Sequence, residues 1–149
     1  MFFPDPGRGL TEFHRVLRPG GRVAVSVNTT AERSYNTRIN LATARYVPGL
    51  REAAQRAFSL ADEVRLVSLL GAAGFADVET FTEVRTFVCP SFNAYFEEVE
   101  HGGGPTGQAY VALREDQRRA VRQEVQRALG EVGGPIEVEV EIRFASGIR

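Results

Sequence analysis

The chain is poor in the residues that make covalent or metal-held folds. Cys89 is its one cysteine, so no disulfide closes within it, and His14 and His101 are its two histidines, too few for a recognisable metal-ligand spacing. That composition argues against a structural zinc site. Lysine is missing altogether: the 18 basic residues are all arginine, balanced by 19 acidic ones to a net charge of -1. That near-neutrality removes the electrostatic reason to expect nucleic acid or an anionic membrane surface as a partner. A uniformly arginine complement fits a biased genome more readily than a function, although the planar guanidinium also suits carboxylates and phosphates. No apolar run approaches the roughly 20 residues that cross a bilayer. The N-terminus has no basic-then-apolar leader pattern, and a cytoplasmic protein is expected. Internal repeats and low-complexity tracts are absent. No serine, histidine and acid arrangement and no spaced carboxylate pair has the context that nucleophilic or glycosidic catalysis needs.

What remains is ordinary: 149 residues, 43% hydrophobic, consistent with one globular domain around a single core. Asp5-Pro6 opens a helix over 6 to 17, with Leu10, Phe13 and Leu17 at helical spacing and Phe13 facing the core, until Pro19 stops it. Gly7 and Gly9 weaken that helix by roughly 1 kcal/mol each. Pro19-Gly20-Gly21 makes a turn into Val23 to Val27, an apolar run that predicts a central strand covered on both faces. Residues 31 to 57 read as polar helix suited to capping a cleft. Ser59, Asp62 and Glu63 begin a helix that Gly74 ends, and the Val, Thr and Phe content of 77 to 88 predicts a strand. A short helix over 92 to 99 precedes a glycine-rich stretch, and Val121, Val125 and Leu129 form the apolar stripe of a helix over 114 to 129. From Ile136 to Phe144 apolar and charged residues alternate, which predicts an antiparallel strand with Glu137, Glu139 and Glu141 on its wet face.

The succession Phe3-Pro4-Asp5-Pro6, His14-Arg15-Val16-Leu17-Arg18-Pro19-Gly20-Gly21-Arg22 and Val23-Ala24-Val25-Ser26-Val27 resembles the stretch from the end of strand four through strand five of class I S-adenosylmethionine-dependent methyltransferases. The small-molecule branch that includes quinone-biosynthesis C-methyltransferases is the nearest likeness. Leu69-Leu70-Gly71-Ala72-Ala73-Gly74-Phe75-Ala76-Asp77-Val78-Glu79 is similar to that family's helix E and sixth strand. Ser91-Phe92-Asn93-Ala94-Tyr95, Gly103-Gly104-Pro105-Thr106-Gly107 and Asp116-Gln117-Arg118-Arg119-Ala120-Val121 are similar to an insertion before the last strand. The resemblance runs the length of the chain and implies the C-terminal half of the fold: an α/β, truncated Rossmann-like domain with a three-stranded mixed sheet in the order five-seven-six, flanking helices and cap-like segments over 31–57 and 91–134.

The family holds its methyl donor in a glycine-rich loop after strand one, with an acidic residue after strand two on the ribose, and neither is found here. Gly102, Gly104 and Gly107 do spell Gly-x-Gly-x-x-Gly, but they follow Glu97-Glu98-Val99-Glu100 rather than a hydrophobic strand, and Pro105 interrupts them, so the match reads as chance. S-adenosylmethionine is thus a cofactor by resemblance, its binding by this chain alone doubtful, with Phe2 and Phe3, beside the expected strand four, as the residues nearest to it. Candidates for the acceptor site are Asn28 past a strand end, Tyr95, and His101 as a base or a contact for a polar substrate group. Each has a plainer reading: a turn asparagine, a core aromatic and a solvated loop histidine. His14 is expected at the surface with no chemistry. A chain that opens on strand five leaves the Val23 to Val27 strand an unpaired edge, which predicts a partner: a second copy pairing along that edge, or a separate N-terminal half. The competing class is a non-enzymatic small-molecule-binding or dimerising module.

Overall fold

The computed structural model describes residues 3–130 and 133–149. Among them the elements run α1 (Pro6–Val16), β1 (Arg22–Asn28), α2 (Thr37–Ala44), α3 (Pro48–Ala57), α4 (Glu63–Ala72), β2 (Ala76–Cys89), α5 (Phe92–Glu100), α6 (Gly104–Val111), α7 (Glu115–Ala128) and β3 (Ile136–Ile148). The three strands form one sheet in the order β1-β3-β2, so the last strand lies between the other two, in the order expected from sequence. The sheet is antiparallel rather than mixed, because the middle strand runs against both neighbours. The chain divides into two compact units, one of residues up to Thr30, Arg56–Val84 and Glu141–Arg149, the other of Ala31–Gln55 and Arg85–Val140.

In the first unit α1 begins where Asp5 accepts a 3.1 Å hydrogen bond from the Arg8 amide, with Pro6 in the first turn where its missing N–H costs nothing. Despite Gly7 and Gly9 it continues to Val16. Its inward face is Leu10, His14 and Leu17, and Phe13, expected in the core, is 37% exposed instead. Phe13 and the inward set are both at helical spacing, and edge-on packing of His14 against Phe75, 5.1 Å between ring centres, accompanies the second arrangement. α4 starts at Asp62, whose carboxylate accepts from the Arg65 amide at 2.7 Å. It stops at Gly74, whose φ of +101° lets the Gly74 and Phe75 amides reach back to the carbonyls of Gly71 and Leu70. Leu66 and Leu70 from α4 then pack with Leu10, Val23, Val27, Phe75 and Ala145.

β1 pairs with β3 from Arg22 opposite Ile148 to Asn28 opposite Ile142. Only one of its faces is covered: Val23 and Val27 are buried while Ala24 and Ser26 are exposed. The expectation of a strand buried on both faces is therefore corrected. β1 lies at the edge of the sheet, and its small exposed residues leave that side without apolar bulk to bury.

The second unit is mainly helical. α2 contacts α7 and α6, and α5 contacts α6, around Ile39, Phe92, Phe96, Val99, Tyr110, Val121 and Val125. Val121 and Val125 are each 1% exposed, as their stripe on α7 predicts, and such burial stabilises by about 1.5–3 kcal/mol per side chain. The glycine-rich stretch leads into a helix, α6 over Gly104–Val111, with Pro105 in its first turn. On β3 the alternation holds for Ile136, Val138 and Val140, which are buried, with Glu137 and Glu139 exposed. Beyond Glu141 the buried positions become Ala145 and Gly147, so Phe144 is not on the buried side and stacks at 4.9 Å on the exposed Phe81. Among the described residues no helix is long and apolar enough to cross a membrane.

Candidate functional site

The sequence-derived candidates fall in different places. Asn28 is the last residue of β1, half-buried, in the first unit, where the neighbouring Thr29 hydroxyl donates to the Glu141 carbonyl at 3.2 Å. Phe3 is also in the first unit. It packs edge-on to Phe13 at 5.8 Å and covers Gly9, where an added Cβ would stand 3.0 Å from the Phe3 ring. Phe2 lies outside the described residues. Tyr95 and His101 belong to the second unit and are not brought together: Tyr95 is buried inside α5, whereas His101 is the exposed C-cap residue, its Nδ1 2.9 Å from the Glu97 carbonyl.

Tyr95 has partners that the sequence reading did not assign to it. Its hydroxyl donates to the Tyr35 carbonyl at 2.5 Å, and the Tyr35 hydroxyl lies 3.2 Å from the Cys89 sulfur. The Tyr35 ring packs edge-on to Tyr95 at 5.1 Å and to Phe87 at 5.6 Å. Burial pushes the Tyr95 hydroxyl up to about 12, the Arg38 charge opposing it. Tyr35 is raised as well, by burial first and then by its bond to Cys89. Both phenols are neutral over the physiological range, so the cluster supplies hydrogen-bond donors rather than a general base. Arg38, three residues beyond Tyr35, holds a buried Nη1 with no hydrogen-bond partner. No spacing in the sequence links positions 35, 89 and 95, and only the fold does.

Two clefts border the N-terminal helix in the first unit. One of about 360 Å³ is lined by Phe3, Pro4, Gly9 and Phe13 with Asp5, Arg8 and Glu12 at its rim. Its carboxylates are engaged elsewhere, Asp5 as the cap of α1 and Glu12 with Arg15 at 2.8 Å. The other, of about 240 Å³, lies between Phe13, Val16 and Leu17 of the helix and its C-terminal end and Arg22, Val23 and Ala24 of β1.

The glycine-rich run does not form a cradle for a nucleotide-like donor. A Cβ at Gly103 would meet the Glu98 carbonyl oxygen at 2.7 Å, and one at Gly107 would meet the Gly102 carbonyl carbon at 2.6 Å. These glycines let α6 fold back tightly on α5, and the space they vacate is filled by the protein's own backbone. Residues 102 to 107 follow a helix, not a strand, which removes the geometry a phosphate-binding loop needs. The described residues therefore do not fit S-adenosylmethionine by that route. They also gather no group of three histidine, cysteine or acidic side chains able to hold a metal. Neither a scan against protein-family models nor a search of curated proteins finds a match to the chain.

Proposed function

We propose that the chain is a methyltransferase-like domain carrying the acceptor side of the fold, active in methyl transfer from S-adenosylmethionine to a small hydrophobic or aromatic acceptor only when a glycine-rich donor half is supplied. The observation that supports this reading is the strand order. The strand nearest the C-terminus lies antiparallel between the strands that begin at Arg22 and Ala76, which is the five-seven-six order the sequence resemblance implies. The edge of β1 is then where a further strand pairs, from a donor half or from a second copy. Asn28, at the end of β1, is the acceptor-site candidate best placed for that chemistry, because ligands bind open α/β sheets beyond strand ends.

A second reading, a dimerising or small-molecule-binding module without methyl transfer, draws on a different observation. Phe13, Val16 and Ala24 are exposed around the cleft beside β1, an apolar surface that a partner's burial would explain. Calorimetric titration of the 149-residue chain with S-adenosylhomocysteine, with solution mass recorded on the same sample, separates the two. The half-domain reading expects no binding alone and binding once the complementary half is added. Micromolar binding by the chain alone overturns the half-domain argument, and a folded dimer that never binds favours the second reading.

A further inference from the structure

The charged side chains of α7 are matched with one exception. Arg119 pairs with Glu115 at 2.9 Å, Arg114 with Asp116 at 3.2 Å, and Glu124 with Arg45 at 2.9 Å. Arg122 is held by Glu100 and Asn93 and lies over the Phe92 and Phe96 rings, 4.9 and 5.3 Å from their centres. Arg127 bonds the Gln123 carbonyl at 3.2 Å. Among the described residues the Arg118 guanidinium alone on this helix has no ion pair or hydrogen bond.

Arg118 lines a cleft of about 310 Å³ together with Arg119, Arg122, Glu100, Glu115 and Tyr110. The Tyr110 hydroxyl donates to the Arg118 carbonyl at 3.3 Å, fixing the cleft floor. Burial raises the Tyr110 phenol, and Glu100 adds to this while Arg122 and Arg118 oppose it, so all three charges act on the Tyr110 hydroxyl. Three guanidinium groups facing two carboxylates leave one positive charge unbalanced.

We propose that this cleft is a binding site for a small organic monocarboxylate, with the planar fork of Arg118 as its counter-ion. A guanidinium takes a carboxylate through two parallel hydrogen bonds, and the pairs Arg119–Glu115 and Arg122–Glu100 occupy the remaining charges. One negative charge completes the balance, whereas a phosphate dianion would leave excess negative charge facing Glu100 and Glu115. The volume is at the lower end of the roughly 300–1,000 Å³ typical of ligand pockets, which suits a single-ring acid. The site is independent of the methyl-transfer reading.

The test is an NMR titration of the full chain with benzoate, benzamide and inorganic phosphate. Benzoate is expected to give saturable shifts around Arg118 and Tyr110, and benzamide none. Arg118→Gln should weaken benzoate at least about tenfold, as loss of a charge-assisted pair predicts, and Arg118→Lys by less. Glu115→Gln, which removes a rim carboxylate, should tighten it. Shifts that do not saturate, equal binding of benzamide, phosphate displacing benzoate, or an unaltered Arg118→Gln variant with native shift dispersion would each overturn the assignment.

Discussion

The Tyr95 hydroxyl donates a 2.5 Å hydrogen bond to the backbone carbonyl of Tyr35, 60 residues earlier in the chain. The bond ties α5 to the segment that leads into α2, and the Tyr35 hydroxyl continues it to Cys89. Removing the donor leaves the carbonyl in a largely dry environment. Tyr95→Phe is expected to lower stability by about 1–2 kcal/mol, read by urea unfolding monitored by circular dichroism.

The same cluster sets an alkaline limit. Burial raises Tyr95 from its ordinary value to about 12, so folding favours the protonated phenol. The stabilisation is complete below pH 10, the unfolded value, and is lost as pH rises toward 12, by a total on the order of 3 kcal/mol. Tyr35, raised in the same direction, adds to the fall. Unfolding measured from pH 8 to 12 should show a flat region and then a decline, shallower in Tyr95→Phe. A decline of equal depth in the variant would show that Tyr95 is not the group responsible.

Two glycines should respond in opposite ways to alanine. At Gly107 the new methyl would stand 2.6 Å from the Gly102 carbonyl carbon and 3.2 Å from the Val99 carbonyl oxygen, backbone atoms that cannot swing aside. Gly107→Ala should cost about 1–3 kcal/mol, as overpacking does. At Gly49 in α3 nothing lies within 4 Å, and alanine should be neutral or stabilise by about 0.5–1 kcal/mol through helix propensity. Thermal melts of the two variants side by side measure the contrast.

In the first unit Leu70 is fully buried, whereas Val64 on the same helix is 77% exposed. Leu70→Ala should cost about 2–5 kcal/mol and Val64→Ala no more than about 0.5 kcal/mol. Chemical denaturation distinguishes them, and similar values would place the core elsewhere.

The open edge of β1 carries the partner prediction. On the proposed reading, a chain purified without a complementary half sediments as a dimer. Ala24→Lys, a charge on the exposed side of the edge strand, shifts it to a monomer with unchanged circular dichroism. A native chain that sediments as a monomer at high concentration removes the second copy as occupant of that edge.

Much of the scaffold was legible because local chemistry dictates it. Asp62 and Gly74 bracket α4 as cap and stop signal, and Val121 and Val125 mark the buried face of α7. The misreadings arise where local patterns are ambiguous. On α1 the sets Leu10-Phe13-Leu17 and Leu10-His14-Leu17 both satisfy helical spacing, and the choice depends on Phe75, far along the chain. The apolar run of β1 suggested cover on both faces, yet Ala24 and Ser26 are small enough to be left in contact with water. The glycine-rich stretch carries no helix signal because glycine weakens helices, yet it enters α6, where Gly107 is required by a close backbone approach. The candidate site was the least legible part, since the Tyr35–Cys89–Tyr95 cluster and the Arg118 cleft depend on tertiary neighbours that no short spacing encodes.

The change in which residues β3 buries has a consequence for how this sequence can drift over generations. Ile136, Val138 and Val140 sit at even positions, and Ala145 and Gly147 at odd ones. Deleting or inserting one residue between Val140 and Ala145 would turn one half of the strand inside out relative to its own core, because side chains alternate with every step. Length changes in this strand should therefore be tolerated only in pairs, even though single substitutions on its exposed face, at Glu137 or Glu139, carry almost no penalty.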